Sequence, residues 1–137
     1  MAGLITHVAI SAVLFFVIFI FSKKWYYGAS AFIGQLMPDI IKFGITGIVI
    51  KSFSYREILK NQLFYTLDHY TGYYFAGYFF WTMLSVFSAL FFSMLVSFKF
   101  IKKQRAKQIV IFTIIFSISA IMHLILDIFI IERNPWV

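Results

Sequence analysis

Apolar residues run in long blocks along this chain, and polar residues gather in short segments between the blocks. Two blocks, residues 73–98 and 108–131, are at least as long as the roughly 20 apolar residues that a helix needs to cross a bilayer. A third block, residues 4–21, is just long enough. It lacks a basic leading segment and a small-residue cleavage site, so we interpret it as a retained helix and not as a signal peptide.

A fourth apolar block, residues 26–50, is interrupted by Pro38, Asp39 and Lys42. Because proline lacks a backbone donor and Asp39 adds a charge, we expect this helix to break near Pro38 and to continue as a re-entrant or interfacial piece. The segment that follows, residues 51–72, mixes polar residues with aromatic ones. This pattern predicts an amphipathic helix lying on the membrane surface.

The composition agrees with this pattern. The 137 residues are 62% hydrophobic and 12% charged, whereas about 25% charged residues are typical of a soluble domain. We therefore predict an all-α integral membrane helical bundle with about four transmembrane helices, one of them broken near Pro38, and an interfacial amphipathic helix. No repeat or linker divides the chain, so residues 1–137 form a single predicted domain. The absence of cysteine excludes disulfides and thiolate metal sites.

The net charge of +7 is spread over the connecting segments. This distribution favours membrane lipids with anionic headgroups as counter-ions, and no nucleic acid partner is expected. Basic residues concentrate in two short loops, at 23–24 and 99–107. The positive-inside rule places both loops in the cytoplasm and both termini outside a plasma or inner membrane.

Some polar and small residues have a structural interpretation. The spacing of Ser30 and Gly34 indicates a place where two helices approach closely. Four basic residues near the middle of the chain are interpreted as headgroup anchors: Lys42, Lys51, Arg56 and Lys60.

Two polar residues, His123 and Asp127, lie within the apolar stretch AIMHLILDIFII. An aspartate at the centre of a bilayer costs roughly 2.5–3.5 kcal/mol, so it needs a compensating partner. The i, i+4 spacing puts both side chains on one helix face, where imidazole and carboxylate suit Zn, Mn or Fe. The alternation of helices across the membrane brings further polar residues to the same face: His7, Asp68, His69 and, if the helix turns at Pro38, Asp39.

Each of these residues also has a structural interpretation when it is taken alone. His7 could be an interfacial hydrogen-bonded residue, and Asp39 could cap a new helix. Asp68 and His69 could belong to a solvated loop, and the pair formed by His123 with its neighbouring carboxylate could be a structural hydrogen bond. Their joint placement at one membrane face favours a metal site over these separate structural roles.

Four motifs, THVAI, GQLMPD, LDHYTG and HLILD, follow one another in this order. These motifs in this order resemble those of a prokaryotic family of small helical membrane proteins, described as YdjM-like membrane-bound metal-dependent hydrolases. The His and Asp spacing is also similar to that of zinc-dependent phospholipase C and single-strand nucleases. The resemblance implies a divalent metal ion, with zinc favoured over manganese or iron. It also implies five ligands, which are His7, Asp39, His69, His123 and Asp127.

The chain departs from the family pattern at three positions. Ile41 stands where the family has a second acid, and Tyr74 stands where it has a second histidine. Tyr70 stands where the family tends to have arginine. These departures count against a second metal ion and against the hydrolase activity itself.

The leading hypothesis is a membrane-embedded hydrolase acting on a phosphoester or a lipid headgroup at the membrane face. A divalent metal would lower the pKa of a bound water towards about 7, and Asp68 or Asp39 could serve as the general base. The alternative is a non-catalytic subunit or pseudoenzyme whose cluster is structural or binds a protein partner or a second copy of the chain. A third hypothesis, proton or ion passage along the polar residues, is disfavoured because these residues gather at one face.

Overall fold

A computed structural model describes residues 4–72 and 74–129, with side chains described for 6–72 and 75–129. No strand occurs in these ranges, so the prediction of an all-α fold is confirmed. The helices are α1 (Leu4–Ser22), α2 (Trp25–Asp39), a π-helical turn (Ile40–Ile45), α3 (Thr46–Ile50), α4 (Tyr55–Ile58), α5 (Gln62–Thr71), α6 (Tyr74–Ser97) and α7 (Lys103–Phe129).

Three of the described helical stretches are long and apolar enough to cross a membrane. They are Trp25–Ile50, Phe75–Ser97 and Lys103–Phe129. Helix α1 is also apolar, but its part with described side chains, Thr6–Ser22, is shorter. Large apolar side chains such as Phe79 project from α6 into the surroundings, as expected of a helix that faces lipid. The placement of the termini outside the membrane stays a prediction.

The expected break near Pro38 is wrong. Helix α2 passes through Pro38 and continues as the π-helical turn into α3, so residues 25–50 form one helical stretch. Proline removes one donor, but the amide of Ile40, two residues further on, still donates to the carbonyl of Leu36. A helix that widens into π geometry keeps its remaining backbone groups paired, which an apolar environment demands.

Helix α2 packs between α1 on one side and α7 on the other. At Gly28 a Cβ atom would lie 2.7 Å from the carbonyl oxygen of Phe15 on α1. On the opposite side, the Ser30 hydroxyl donates to the carbonyl of Phe112 on α7 at 2.6 Å. A Cβ atom on Gly34 would overlap the backbone of α7. The interpretation of Ser30 and Gly34 as a close helix contact is therefore confirmed.

The amphipathic segment forms two short helices, α4 and α5, where one helix was predicted. Residues 59–61 separate the two helices. Asn61 caps the start of α5, because its side chain accepts a hydrogen bond from the Leu63 amide at 2.9 Å. Helix α5 packs against α6 and the π-helical turn. Its buried Phe64 contacts Phe43 of that turn, with ring centroids 5.0 Å apart. The position of this segment on a membrane surface stays a prediction.

Trp81 ties α6 to the end of α5. Its side chain is 1% exposed, and its indole N–H donates to the carbonyl of Thr71 at 3.0 Å. Substitution Trp81→Phe should leave that carbonyl unpaired and lower the free energy of unfolding by about 1–3 kcal/mol. Thermal unfolding in detergent measures the change. Trp25→Phe is the matched control because Trp25 is 67% exposed, and an equal loss in both variants would contradict the expectation.

Candidate functional site

Two histidines from opposite ends of the sequence stack at one end of the bundle. His7 of α1 and His123 of α7 are fully buried, and their ring centroids lie 3.9 Å apart with an interplanar angle of 21°. Asp127 lies one turn after His123. Its Oδ1 lies 3.2 Å from His7 Nε2, and its Oδ2 lies 3.5 Å from His123 Nε2. One ligand atom of each of the three residues lies within 4.8 Å of the other two.

The ring of His123 is oriented by the backbone of α2. Its Nδ1–H donates to the carbonyl of Gln35 at 2.7 Å, which directs Nε2 towards the carboxylates. That Nε2 atom also lies 3.5 Å from Oδ1 of Asp39. Histidines that bind metals commonly donate their other ring N–H to a carbonyl in this way, which fixes the tautomer and the ring orientation.

Lys42 is the member of this centre that sequence reasoning missed. The lysine is fully buried in the π-helical turn. Its Nζ lies 3.1 Å from Asp39 Oδ1, 3.3 Å from Asp68 Oδ1 and 3.9 Å from Asp127 Oδ2. The interpretation of Lys42 as a headgroup anchor is therefore wrong. Because the helix does not turn at Pro38, the residue one turn beyond Asp39 stays inside the bundle.

Aromatic rings border the lysine on the side of the amphipathic segment. Lys42 Nζ lies 5.9 Å from the ring centroid of Phe43, and that ring stacks on Tyr55 of α4 with centroids 5.9 Å apart. Burial raises the pKa of Tyr55, against the opposing effect of the Lys42 charge. Rings around an ammonium exclude water and so strengthen its interaction with neighbouring carboxylates.

The structure brings together all but one of the predicted site residues. Those that converge are His7, Asp39, Asp68, His123 and Asp127. His69 follows Asp68 on α5 but is exposed, and it lines a surface groove with Tyr65 and Tyr70. The group of converging ligand atoms found among the described side chains does not include His69. Its role as a ligand stays a prediction.

Two of the positions that depart from the family pattern have a described environment. Ile41 packs against the hydrophobic cluster of Trp81, Ala120 and Leu124. Tyr70 is 60% exposed. The side chain of Tyr74 lies outside the described residues.

Several buried polar atoms near this end of the bundle have no hydrogen-bond partner in the described part of the chain. They include both amide atoms of Gln35, which lies one turn before Asp39, and the Nδ1 atom of His7. The Nε2 atom of His123 faces two carboxylates at 3.5 Å without a hydrogen bond to either. Unpaired polar groups in apolar surroundings cost roughly 2–7 kcal/mol each. Of these atoms, the imidazole nitrogens and Gln35 Oε1 can donate an electron pair to a cation, and together with the neighbouring carboxylates they fit a centre that holds one.

No protein-family model, curated protein or solved structure matches this chain. Fold and site nevertheless define a class. In the part of the chain that the structure describes, it is an all-α protein with three helices long and apolar enough to cross a membrane. It has a buried centre of histidines, aspartates and a lysine at one end of the bundle.

Proposed function

We propose that this protein is a membrane-embedded, metal-dependent hydrolase that acts on phosphoesters, with lipid headgroups as the expected substrate class. One observation carries the proposal: ligand atoms of His7, His123 and Asp127 converge within 4.8 Å, although the residues belong to different ends of the chain. Two imidazoles and a carboxylate suit zinc, manganese or iron. Zinc is the first cation to test, because such ligand sets are common in catalytic zinc sites.

The charge of the centre also supports a divalent cation. Three carboxylates surround the single ammonium of Lys42, which leaves a formal charge of −2 when both histidines are neutral. One divalent cation balances this charge. A proton on each histidine would also balance it, but would place two positive rings 3.9 Å apart. At an effective dielectric constant of about 20, that arrangement costs about 4 kcal/mol of Coulomb repulsion.

When bound, a divalent cation supplies a Lewis acid that activates water and offsets the charge that develops on phosphoryl oxygens. The chain supplies the proton acceptor. Asp68 has the most exposed of the three carboxylates, with 29% of its side chain accessible against 15% for Asp39 and 16% for Asp127. It lies at the outer edge of the centre on α5, within reach of a water molecule, and Lys42 holds its carboxylate in place. We assign Asp68 as the general base.

The position of the site supports a substrate at the membrane face. Asp68 belongs to the short helix α5, outside the three long apolar stretches, whereas the histidines lie near the ends of α1 and α7. A substrate whose phosphoester lies at headgroup level can therefore reach the carboxylate edge while its acyl chains remain in the bilayer.

A second candidate function is a non-catalytic subunit in which the same cluster fixes helix packing or a partner surface. The observation that favours it is the hydrogen-bond distance between His7 and Asp127, together with the ion pairs of Lys42, since these contacts join α1, α2, α5 and α7 without a cation. In that case the protein would fold independently of metal.

The test is metal content by mass spectrometry of detergent-purified protein, measured for wild type and His123→Ala. We expect about one equivalent of a transition metal in wild type and less than about a tenth of that in the variant, because a buried ligand is lost. Hydrolysis of an aryl phosphodiester and of a phospholipid should fall together with the metal. Glu57→Ala is the control, since Glu57 is exposed on α4.

The proposal fails if wild type holds no metal after reloading, or if His123→Ala keeps both metal and hydrolysis. The same measurement on His69→Ala decides whether His69 is a ligand.

A further inference from the structure

The centre has two sides that share carboxylates. On one side lie the stacked rings of His7 and His123, and on the other lies Lys42. Oδ1 of Asp39 contacts both sides, at 3.5 Å from His123 Nε2 and 3.1 Å from Lys42 Nζ. Oδ2 of Asp127 does the same, at 3.5 Å and 3.9 Å. In two-metal sites the cations lie about 4 Å apart, and carboxylates commonly bridge them.

We propose that the ammonium of Lys42 is the second cation of this centre and limits the site to a single metal ion on the histidine side. This inference rests on the metal centre proposed above. Lys42 forms ion pairs with the carboxylates of Asp39 and Asp68, which a second metal ion would otherwise need as ligands.

The charge balance gives the first argument. Lys42 and the three carboxylates together carry a formal charge of −2, which one divalent cation cancels. A second divalent cation would leave an excess of two positive charges in a buried site. Since an uncompensated buried charge costs several kcal/mol, the site with Lys42 in place binds one ion and disfavours two.

The position of the lysine gives the second argument. Its side chain is fully buried and starts from the π-helical turn, three residues after Asp39. Phe43 lies against its ammonium, and Asp68 of α5 lies beyond it at 3.3 Å. With Asp127 of α7 at 3.9 Å, the ammonium is held among carboxylates from three elements, and the lysine side chain is only 1% exposed.

The donor types give the third argument. The described ion pairs of Lys42 Nζ are all with carboxylate oxygens, whereas the other side of the centre offers two imidazole nitrogens. An ammonium needs oxygen acceptors and no nitrogen ligand, while zinc and related ions favour imidazole. Each side of the centre therefore matches the cation assigned to it.

The test is the metal stoichiometry of the full chain after equilibrium dialysis against Mn²⁺ or Zn²⁺, with metal measured by mass spectrometry. Wild type should hold about one equivalent and Lys42→Ala about two, because removal of the ammonium frees carboxylates and space for an ion. Lys42→Arg keeps the positive charge and should stay at one equivalent. Lys51→Ala removes an exposed lysine and should also stay at one equivalent.

Electron paramagnetic resonance of the Mn²⁺-loaded samples gives a second readout that does not depend on activity. Wild type should show the spectrum of isolated Mn²⁺, and Lys42→Ala should show that of a magnetically coupled pair. If Lys42→Ala does not fold, titration of wild type still decides. One tight site with any second site at least about 100-fold weaker supports the proposal, and two sites of similar affinity overturn it.

The other outcomes separate this inference from the proposed function. One equivalent in both wild type and Lys42→Ala overturns the role of Lys42 and leaves the metal centre intact. Two equivalents in wild type also overturn it. Absence of metal from both proteins overturns the metal centre and this inference together. Metal in Lys42→Ala alone would mean that the lysine excludes every metal ion, which overturns the single-ion site and the proposed function.

Discussion

Replacing Asp127 with alanine should lower the free energy of unfolding of the metal-free protein by about 3 kcal/mol, the low end of the cost of breaking a buried ion pair. The carboxylate lies 3.2 Å from His7 Nε2 and 3.9 Å from Lys42 Nζ, so its loss removes contacts to two helices at once. In the variant, Lys42 still has its ion pair with Asp39 at 3.1 Å, which limits the loss of stability. Chelator-treated protein in detergent, unfolded by heat, provides the measurement.

The matched control for this prediction is Glu57→Ala. Glu57 is an exposed acid of α4, and its substitution should change stability by less than about 0.5 kcal/mol. If Asp127→Ala unfolded at the same temperature as this control, the ion pairs of the centre would contribute nothing to the fold. Added metal should widen the difference between wild type and Asp127→Ala, because the variant lacks a ligand.

Substituting Gly34 with alanine should separate α2 from α7 and cost about 3 kcal/mol or more, as overpacking of a close backbone contact does. A Cβ atom there would overlap the Phe116 carbonyl oxygen and would lie 2.9 Å from Phe116 Cα. The contact is between two backbones, so no side-chain rotation can relieve it. The shift should also stretch the 2.7 Å hydrogen bond from His123 to the Gln35 carbonyl and reduce metal affinity.

The control for the glycine is Gly44→Ala. A Cβ atom on Gly44 would meet only Ile40 Cγ2, at 3.8 Å, so the added methyl is accommodated. Because alanine is a better helix former than glycine by about 1 kcal/mol, this variant should be neutral or slightly stabilised. Thermal unfolding and metal content of both variants test the pair of expectations. Equal behaviour of Gly34→Ala and Gly44→Ala would show that the close approach is not required.

The helices could be predicted from sequence because long apolar blocks are a strong signal for membrane helices. The pairing of His123 with Asp127 also followed from local spacing, since residues four apart share a helix face. The approach of His7 followed from the alternation of helices across the membrane. These inferences need only the direction of each helix and the position of a residue along it.

The rest of the centre depends on distances that the sequence does not encode locally. The helix through Pro38 continues because widening to π geometry keeps its backbone paired, and a proline alone does not reveal that outcome. The burial of Lys42 follows from this continuity. Its i, i+3 spacing from Asp39 was the available signal, but the same spacing is common on solvated helices.

The π-helical turn, six residues long, also sets the rotational orientation of α3 about the helix axis. A π-helical turn holds about one residue more than an α-helical turn, and one residue corresponds to about 100° of rotation about the helix axis. Shortening this turn by a single residue would rotate α3 by about a quarter of a circle and redirect the chain that leads to α5. Asp68 lies 3.3 Å from Lys42 with the turn at its present length, so a shorter turn would change the direction from which the chain brings the third carboxylate to the centre.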